Sequence, residues 1–282
     1  MRWPRGASAC TCALCRALPA ASCGKRGGRS VPRKERAEEE GAGQHPALAA
    51  LQELAERAPS IARPEDSWPM GQMDPGTVKE ASVLVLMGVL DAAPAQNTGC
   101  GTVASDLDLL VLVRSDALRH HAGQPALPGG RIDPEDYSEA ARTGRTVQQV
   151  AALREAVEET GLQAEGVRLL GQLPAVDLPV SNYRVTPVLG WWDLPTPVEA
   201  VDRNESTLVV RVPVADLLNP ANRLTMTVTR GRIRHKSPAF EVTGDFAPFT
   251  IWGFTGNLLS RVFEELGWEE PWDKKRTREI GT

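Results

Sequence analysis

Three carboxylates, Glu155, Glu158 and Glu159, stand at i, i+3 and i+4, a spacing that on a helix places them on one face. Like charges so arranged destabilise an isolated helix by about 0.2–0.5 kcal/mol per pair. Their place in the last turn also sets them against the negative end of the helix dipole. A divalent cation held by the three would reverse both penalties. Upstream, Leu127-Pro128-Gly129-Gly130-Arg131-Ile132-Asp133 puts Pro128 and Gly129 at the central positions of a type II turn, with Gly129 supplying positive φ. Gly130 then leaves the backbone bare for a ligand or ion, and Asp133, Glu135 and Asp136 follow. Taken alone, an acidic stripe is more often a solvated helix face, and Pro-Gly-Gly an ordinary turn. Together they describe a site for phosphate and a divalent metal, and hard oxygen donors suit Mg²⁺ or Mn²⁺.

The helix that must carry the carboxylates is bounded by local signals. Thr146 with Gln149 makes a capping box, and Gly161 suits the left-handed position after the last turn. Val150, Leu153 and Val157 fall roughly opposite the acidic face, so one side packs while the other offers oxygens. Arg154 can pair with Glu158 one turn on. Around this helix, Val83–Leu90, Leu107–Arg114, Val167–Leu173, Tyr183–Trp192 and Thr207–Val214 read as strands, and Leu224–Val228 as an exposed strand or hairpin arm. Ala47–Arg57 and Phe249–Leu266 read as amphipathic helices, the second ended by Gly267, and Ala215–Leu218 as a helical turn. Strand groups separated by a helix predict one mixed α/β domain over residues 46–282.

Composition sets limits. The chain has 282 residues, 41% hydrophobic and 24% charged, with a net charge of -4. Its pI is about 5.7 and its mean hydropathy -0.26. Nothing in this calls for nucleic acid or a membrane as partner, and no apolar run nears the roughly 18–20 residues of a bilayer span. Residues 1–45 differ from the rest: they are rich in Ala, Gly, Arg and Pro, lack a hydrophobic period, and are expected to be disordered. Four of five cysteines, Cys10, Cys12, Cys15 and Cys23, crowd there, with only Cys100 beyond. That is not a disulfide framework, so a reducing, cytoplasmic setting is expected. A transit-like start or a misassigned start codon would explain the same composition. The tryptophans Trp191, Trp192, Trp252, Trp268 and Trp272 read as packing residues, His120 and His235 as exposed bystanders, and Arg230–Lys236 as a solvated basic hairpin.

Gly130, Asp136 and Arg154-Glu155-Ala156-Val157-Glu158-Glu159-Thr160-Gly161-Leu162 resemble the Nudix box, G-x5-E-x7-R-E-U-x-E-E-x-G-U with U aliphatic. The second half matches at every fixed position. Upstream, the stretch from Leu110 through Arg114, Ser115, Arg119 and Gly123 to Leu127-Pro128-Gly129-Gly130 looks like the signature that precedes the box in coenzyme A pyrophosphatases. The resemblance runs on through Tyr183–Leu189 and Trp252–Gly256 and covers roughly Arg63 to Asp273; the tryptophan-rich tail is similar to actinobacterial members. Two positions and one insertion depart from the pattern. Asp136 stands for the first Glu, Leu127 for Phe, and about ten extra residues within 137–149 separate Asp136 from the helix.

The resemblance implies a Nudix α/β/α sandwich around a mixed sheet, with the box as loop–helix–loop. It implies hydrolysis of a nucleoside diphosphate linked to another group, here the pyrophosphate of coenzyme A, with Mg²⁺ or Mn²⁺ as cofactor. Glu155 and Glu159 would be direct metal ligands, joined by Glu158 and the Gly130 carbonyl. Arg154 would orient the carboxylates, and Glu158 is a candidate for the base that activates water, with a loop residue elsewhere as the other choice. Arg114, Arg119 and His121 of the upstream signature, with the main chain at Gly129 and Gly130, would bind the anionic substrate. Two alternatives stay open: the same chemistry on ADP-ribose, NADH or another dinucleotide, and a nucleotide-sensing domain without turnover. The implied partner is a small molecule, and a monomer or a homodimer would both be compatible with it.

Overall fold

The run Val83-Leu84-Val85-Leu86-Met87 is apolar at every position, so a strand made of it needs a cover on each face. The computed structural model, which describes residues 45–61, 73–89, 106–116, 123–230, 233–244, 246 and 248–281, supplies two. Leu84 and Leu86 are fully buried in one cluster with Leu110, Val188, Trp192 and the helical residues Ala152, Leu153 and Ala156. Val85 and Met87 point the other way, into a second cluster with Leu51, Leu54, Leu217, Leu259 and Phe263. Residues 1–44 with their four cysteines, Cys100, Arg119, His120 and His121 lie outside the described residues.

The strands at the centre are β1 (Lys79–Val89), β2 (Leu107–Arg114), β3 (Pro125–Ala126), β4 (Gly129–Arg131), β5 (Val167–Gln172), β6 (Val176–Leu178), β7 (Tyr183–Trp192) and β8 (Ser206–Pro213). They form one eight-stranded sheet in the order β3-β2-β1-β7-β5, with β4 on β1, β6 on β7 and β8 on β2. β1 and β7 run parallel over Lys79–Gly88, whereas β1 is antiparallel to β2 and β4, so the sheet is mixed. The helices are α1 (Pro46–Arg57), α2 (Pro134–Thr143), α3 (Val147–Thr160), α4 (Val214–Leu218) and α5 (Gly253–Glu265). α3 covers one face of the sheet and α1, α4 and α5 the other. The expected α/β class with a mixed sheet is thus observed.

Two elements and one histidine correct the sequence expectation. Phe249–Ile251, read as the start of a helix, are strand β11, and α5 begins at Gly253. The strand read as exposed is β9 (Arg223–Arg230), which lies inside a second sheet, β11-β10-β9-β12, with β10 (Ile233–Val242) and β12 (Thr277–Gly281). Its Leu224 and Met226 are buried with Ala239 against Trp252 and Ile280. The cover comes from chain far away in sequence, which a local polar–apolar alternation does not report. His235 on β10 is half-buried rather than exposed, and burial lowers its pKa. Trp191, Trp192 and Trp268 are buried as packing residues.

Candidate metal centre and active site

α3 starts and stops where its end residues dictate. The Thr146 side chain accepts the Gln149 N–H and the Gln149 side chain accepts the Thr146 N–H, closing the capping box. Gly161 takes φ 70° and donates its N–H to the Val157 carbonyl. Within these bounds Ala151, Ala152 and Ala156 are fully buried, so small side chains let the helix sit close to the sheet. The acidic residues divide. The Glu155 side chain is 17% exposed and Glu158 57%, and Glu159 is turned toward β4. Two of the three carboxylates therefore face protein, not solvent.

What they face is the Gly129-Gly130 segment. It does not form the expected type II turn. Gly129 has φ 158°, and the segment is the extended β4, pairing Gly129 with Val83 and Gly130 with Ser82. The Leu84 N–H reaches back to the Pro128 carbonyl at 2.8 Å. The glycines are required by proximity instead. A Cβ on Gly129 would fall 2.3 Å from the Ser82 carbonyl oxygen, and one on Gly130 would fall 2.4 Å from the Glu155 carboxyl carbon. With no side chain in the way, the Gly129 N–H donates to Glu159 Oε2 at 2.9 Å.

Asp136 joins this group by way of the extra residues before α3. They fold into α2, whose N-terminus is closed by a capping box between Asp133 and Asp136. The Asp136 side chain is 2% exposed, and Arg154 grips it with a fork, Nε to Oδ1 at 2.9 Å and Nη2 to Oδ2 at 3.0 Å. The other donors of Arg154 reach Glu155, Glu158 and the Arg131 carbonyl, each at 3.0 Å. The guanidinium thus ties α2, β4 and two of the acidic residues together.

The electrostatics leave this centre short of positive charge. Burial pushes the Glu159 carboxyl up to about 7, with Glu155 and Glu205 adding to the rise and the Gly129 N–H and Arg114 opposing it. Burial also raises Glu155, against the pull of Arg154, with Glu158 and Asp133 adding to the rise. For Asp136, burial works against the charged form, but the Arg154 fork and the Asp133 N–H outweigh it and hold the carboxyl below its ordinary range. A divalent cation between Glu155 and Glu159 would supply what is missing, and carboxylate and carbonyl oxygens are its natural donors. Among the described residues no three acidic, histidine or cysteine side chains already converge to cage an ion. Glu158, the third of the expected set, points outward onto Arg154. The arrangement is a preformed pair beside a bare backbone, a form that Mg²⁺ accepts when substrate phosphates and water complete its shell.

Of the expected substrate-binding residues, Arg114 ends β2 and its charge is felt at Glu159, and Gly129 and Gly130 lie in the centre itself. Arg119 and His121 lie outside the described residues. Glu205, which lies in no motif, sits in the turn before β8, where its carbonyl accepts the Ser115 N–H at 2.8 Å and its charge reaches Glu159. Only the pairing of β2 with β8 brings it there, so no local signal could have marked it.

The family model of the NUDIX domain matches residues 96–226. A relative from Yersinia enterocolitica, named an uncharacterized Nudix hydrolase NudL, is 32% identical over 159 residues, which are 56% of this chain and 73% of that protein. Its namesake from Escherichia coli is 33% identical over 159 residues, 56% of this chain and 75% of its own. Among solved structures, a NUDIX hydrolase from Nitrosomonas europaea aligns with a TM-score of 0.39 at 14% identity, over 73% of this chain and 80% of that one.

Proposed function

The chain belongs to the Nudix hydrolase family, and on that premise we propose that it hydrolyses the pyrophosphate bond of coenzyme A or an acyl derivative, giving 3′,5′-ADP and 4′-phosphopantetheine. The observation that carries the reading is the pair of inward-facing carboxylates, Glu155 and Glu159, set against the bare Gly129–Gly130 strand. These two, with the Gly130 carbonyl, would hold Mg²⁺ or Mn²⁺, and Glu158 stays outside the ion's shell. The bound ion would offset the diphosphate charge and lower the pKa of an attacking water.

The chain's own residues have the remaining tasks. Arg154 fixes Glu155 and Asp136 in place and is itself saturated with acceptors, so it acts as a positioning residue. Arg114, at the end of β2, together with Arg119 and His121 would neutralise the phosphates. Glu158, the exposed carboxylate, takes the proton of the water that attacks phosphorus while the P–O–P bond breaks and the second phosphate leaves. Glu205 is the alternative proton acceptor, since its charge is felt at Glu159. Support for coenzyme A as the substrate comes from the stretch between Leu110 and Gly130, whose end is β4 itself.

Purified protein incubated with coenzyme A, NADH and ADP-ribose, each with Mg²⁺ or Mn²⁺, tests the assignment. Coenzyme A is expected to be cleaved fastest. Turnover of ADP-ribose with coenzyme A untouched would overturn the substrate. Glu159→Gln is expected to abolish hydrolysis with an unchanged circular dichroism spectrum, and full activity in that variant would place the metal elsewhere.

A further inference from the structure

One residue beyond the glycine pair, the chain enters a cleft that the hydrolytic centre does not use. Its volume is about 540 Å³, and Lys79, Glu80, Arg131, Ile132, Tyr137 and Arg184 line it, within the roughly 300–1,000 Å³ of small-molecule sites. The cleft adjoins the centre through a single strand. Gly129 holds Glu159, Gly130 abuts Glu155, and the Arg131 carbonyl accepts from Arg154. At about 3.3 Å per residue the Arg131 Cα lies within roughly 7 Å of Gly129. A substrate whose diphosphate sits at the glycine pair therefore has one of its ends within reach of the cleft.

The charges in the cleft are not equivalent. Arg184 is forked onto Asp177 at 2.7 and 2.9 Å, and Glu80 also acts on it. Its charge is met. Lys79 Nζ rests over the Tyr183 ring at 5.5 Å, and Arg131 is engaged through its main chain, in the β1 ladder and by Arg154. Among the described residues neither makes an ion pair with a carboxylate. Beside them Tyr137 is 56% exposed, an aromatic face left open next to two cations. It is carried there by α2, the segment inserted before α3, whose preceding residue Asp136 is turned inward onto Arg154. Two unpaired cations, a ring and the apolar Ile132 suit a dianionic phosphate monoester carried on a nucleoside. Arg and Lys meet the phosphate, and the ring stacks on the base.

We propose that this cleft binds a third phosphate, the monoester on the nucleoside end of the substrate, and thereby sets specificity for 3′-phosphorylated nucleoside diphosphates over unphosphorylated ones. The inference rests on the proposed hydrolysis at Glu155 and Glu159 and adds to it a residue-level basis for substrate choice. Lys79 and Arg131 contact the phosphate and Tyr137 the base.

Binding and turnover separate the two claims. Adenosine 3′,5′-bisphosphate, AMP and inorganic phosphate are titrated calorimetrically into the full chain with EDTA present, so that no metal assists the 5′-phosphate. The bisphosphate is expected to bind at least about tenfold tighter than AMP, and Lys79→Gln with Arg131→Gln to remove that difference, as charge-assisted contacts of this kind would. Lys79→Arg should restore part of it, which a merely structural lysine would not require. In turnover, wild type is expected to prefer coenzyme A to dephospho-coenzyme A, and the double variant to lose the preference through a higher KM for coenzyme A alone. Equal binding of the bisphosphate and AMP, equal binding of inorganic phosphate, or an equal loss on both substrates would each overturn the cleft. If the bisphosphate binds as expected but neither coenzyme is cleaved, the cleft stands and the hydrolytic assignment falls.

Discussion

A guanidinium has five N–H donors, and Arg154 places all of them: two on Asp136 and one each on Glu155, Glu158 and the Arg131 carbonyl. Asp136 is the partner that depends on it most, because its side chain is 2% exposed. Burial alone would favour the neutral acid, yet the fork from Arg154 and the Asp133 N–H carry the carboxyl below its ordinary value of 3.8. A carboxyl depressed on folding contributes stability that is complete above the unfolded value and is lost as pH falls through the folded one. Asp136→Asn is therefore expected to cost about 1.5–3 kcal/mol near neutrality. The cost should shrink as pH falls below 3.8 toward the depressed folded value, because the unfolded wild-type chain takes up the proton first. Urea unfolding of both proteins, stepped from neutral to acid pH, measures the gap. A gap independent of pH would assign the contribution of Asp136 to packing rather than to charge.

At the scale of elements, legibility follows the range of the interactions that make each one. α3 was readable to its ends because its signals are its own: Thr146 and Gln149 cap one end and Gly161 the other. β2 and β7 coincide with the expected spans, since residues 109–113 and 185–192 are mostly apolar and a strand made of them is buried on both faces. α2 escaped notice because it is short and polar, and nothing in Pro134–Thr143 shows which way Asp136 will turn until Arg154 is beside it. β4 escaped for a different reason. Pro-Gly-Gly is turn-forming by itself, and only the pairing with Ala81–Val83 draws it straight. The local nature of the α3 signals can be measured. Thr146→Ala removes the acceptor for the Gln149 N–H and the hydroxyl bond to Gln172, and is expected to lower stability by about 0.5–2 kcal/mol. The Glu155 and Glu159 geometry is set two turns away, so kcat should change by less than about twofold, an effect under 0.5 kcal/mol. A large fall in kcat without loss of stability would mean that the cap, rather than the packed Ala151, Ala152 and Ala156 face, sets the position of the acidic turn.

Over the whole molecule, the centre is assembled from pieces that only the complete fold brings together. Glu155 and Glu159 come from α3, the glycines from β4, Asp136 from α2 and Arg114 from β2. The helix that carries Glu155, Glu158 and Glu159 was therefore legible in the sequence, whereas the strand it lies against was not. Glu155 and Glu159 turn inward and Glu158 outward because β4 lies alongside α3, and β4 lies there because β1 pairs with it. The second sheet was equally hidden: it joins the same core through Phe240, Val242 and Ile251 around α5, contacts that no segment announces alone. An assembled site has a thermodynamic consequence. The unfolded chain offers no paired carboxylates beside a bare backbone, so an ion that binds this centre binds the native state only and raises its stability by RT ln(1 + [L]/Kd), about 2.7 kcal/mol at a hundredfold excess over Kd. In the metal-free protein, Glu155 and Glu159 repel each other in a buried setting, which makes the gain from a cation larger than at an exposed acidic patch. Adding MgCl₂ or MnCl₂ to protein stripped with EDTA is expected to raise Tm by several degrees, with CaCl₂ and NaCl at matched ionic strength as controls. The same addition to Glu159→Gln should leave Tm nearly unchanged, while Glu135→Gln, an exposed residue at the start of α2, should respond as wild type does. A shift that survives Glu159→Gln, or that NaCl reproduces, would mean the cations screen surface charge and do not occupy the pair.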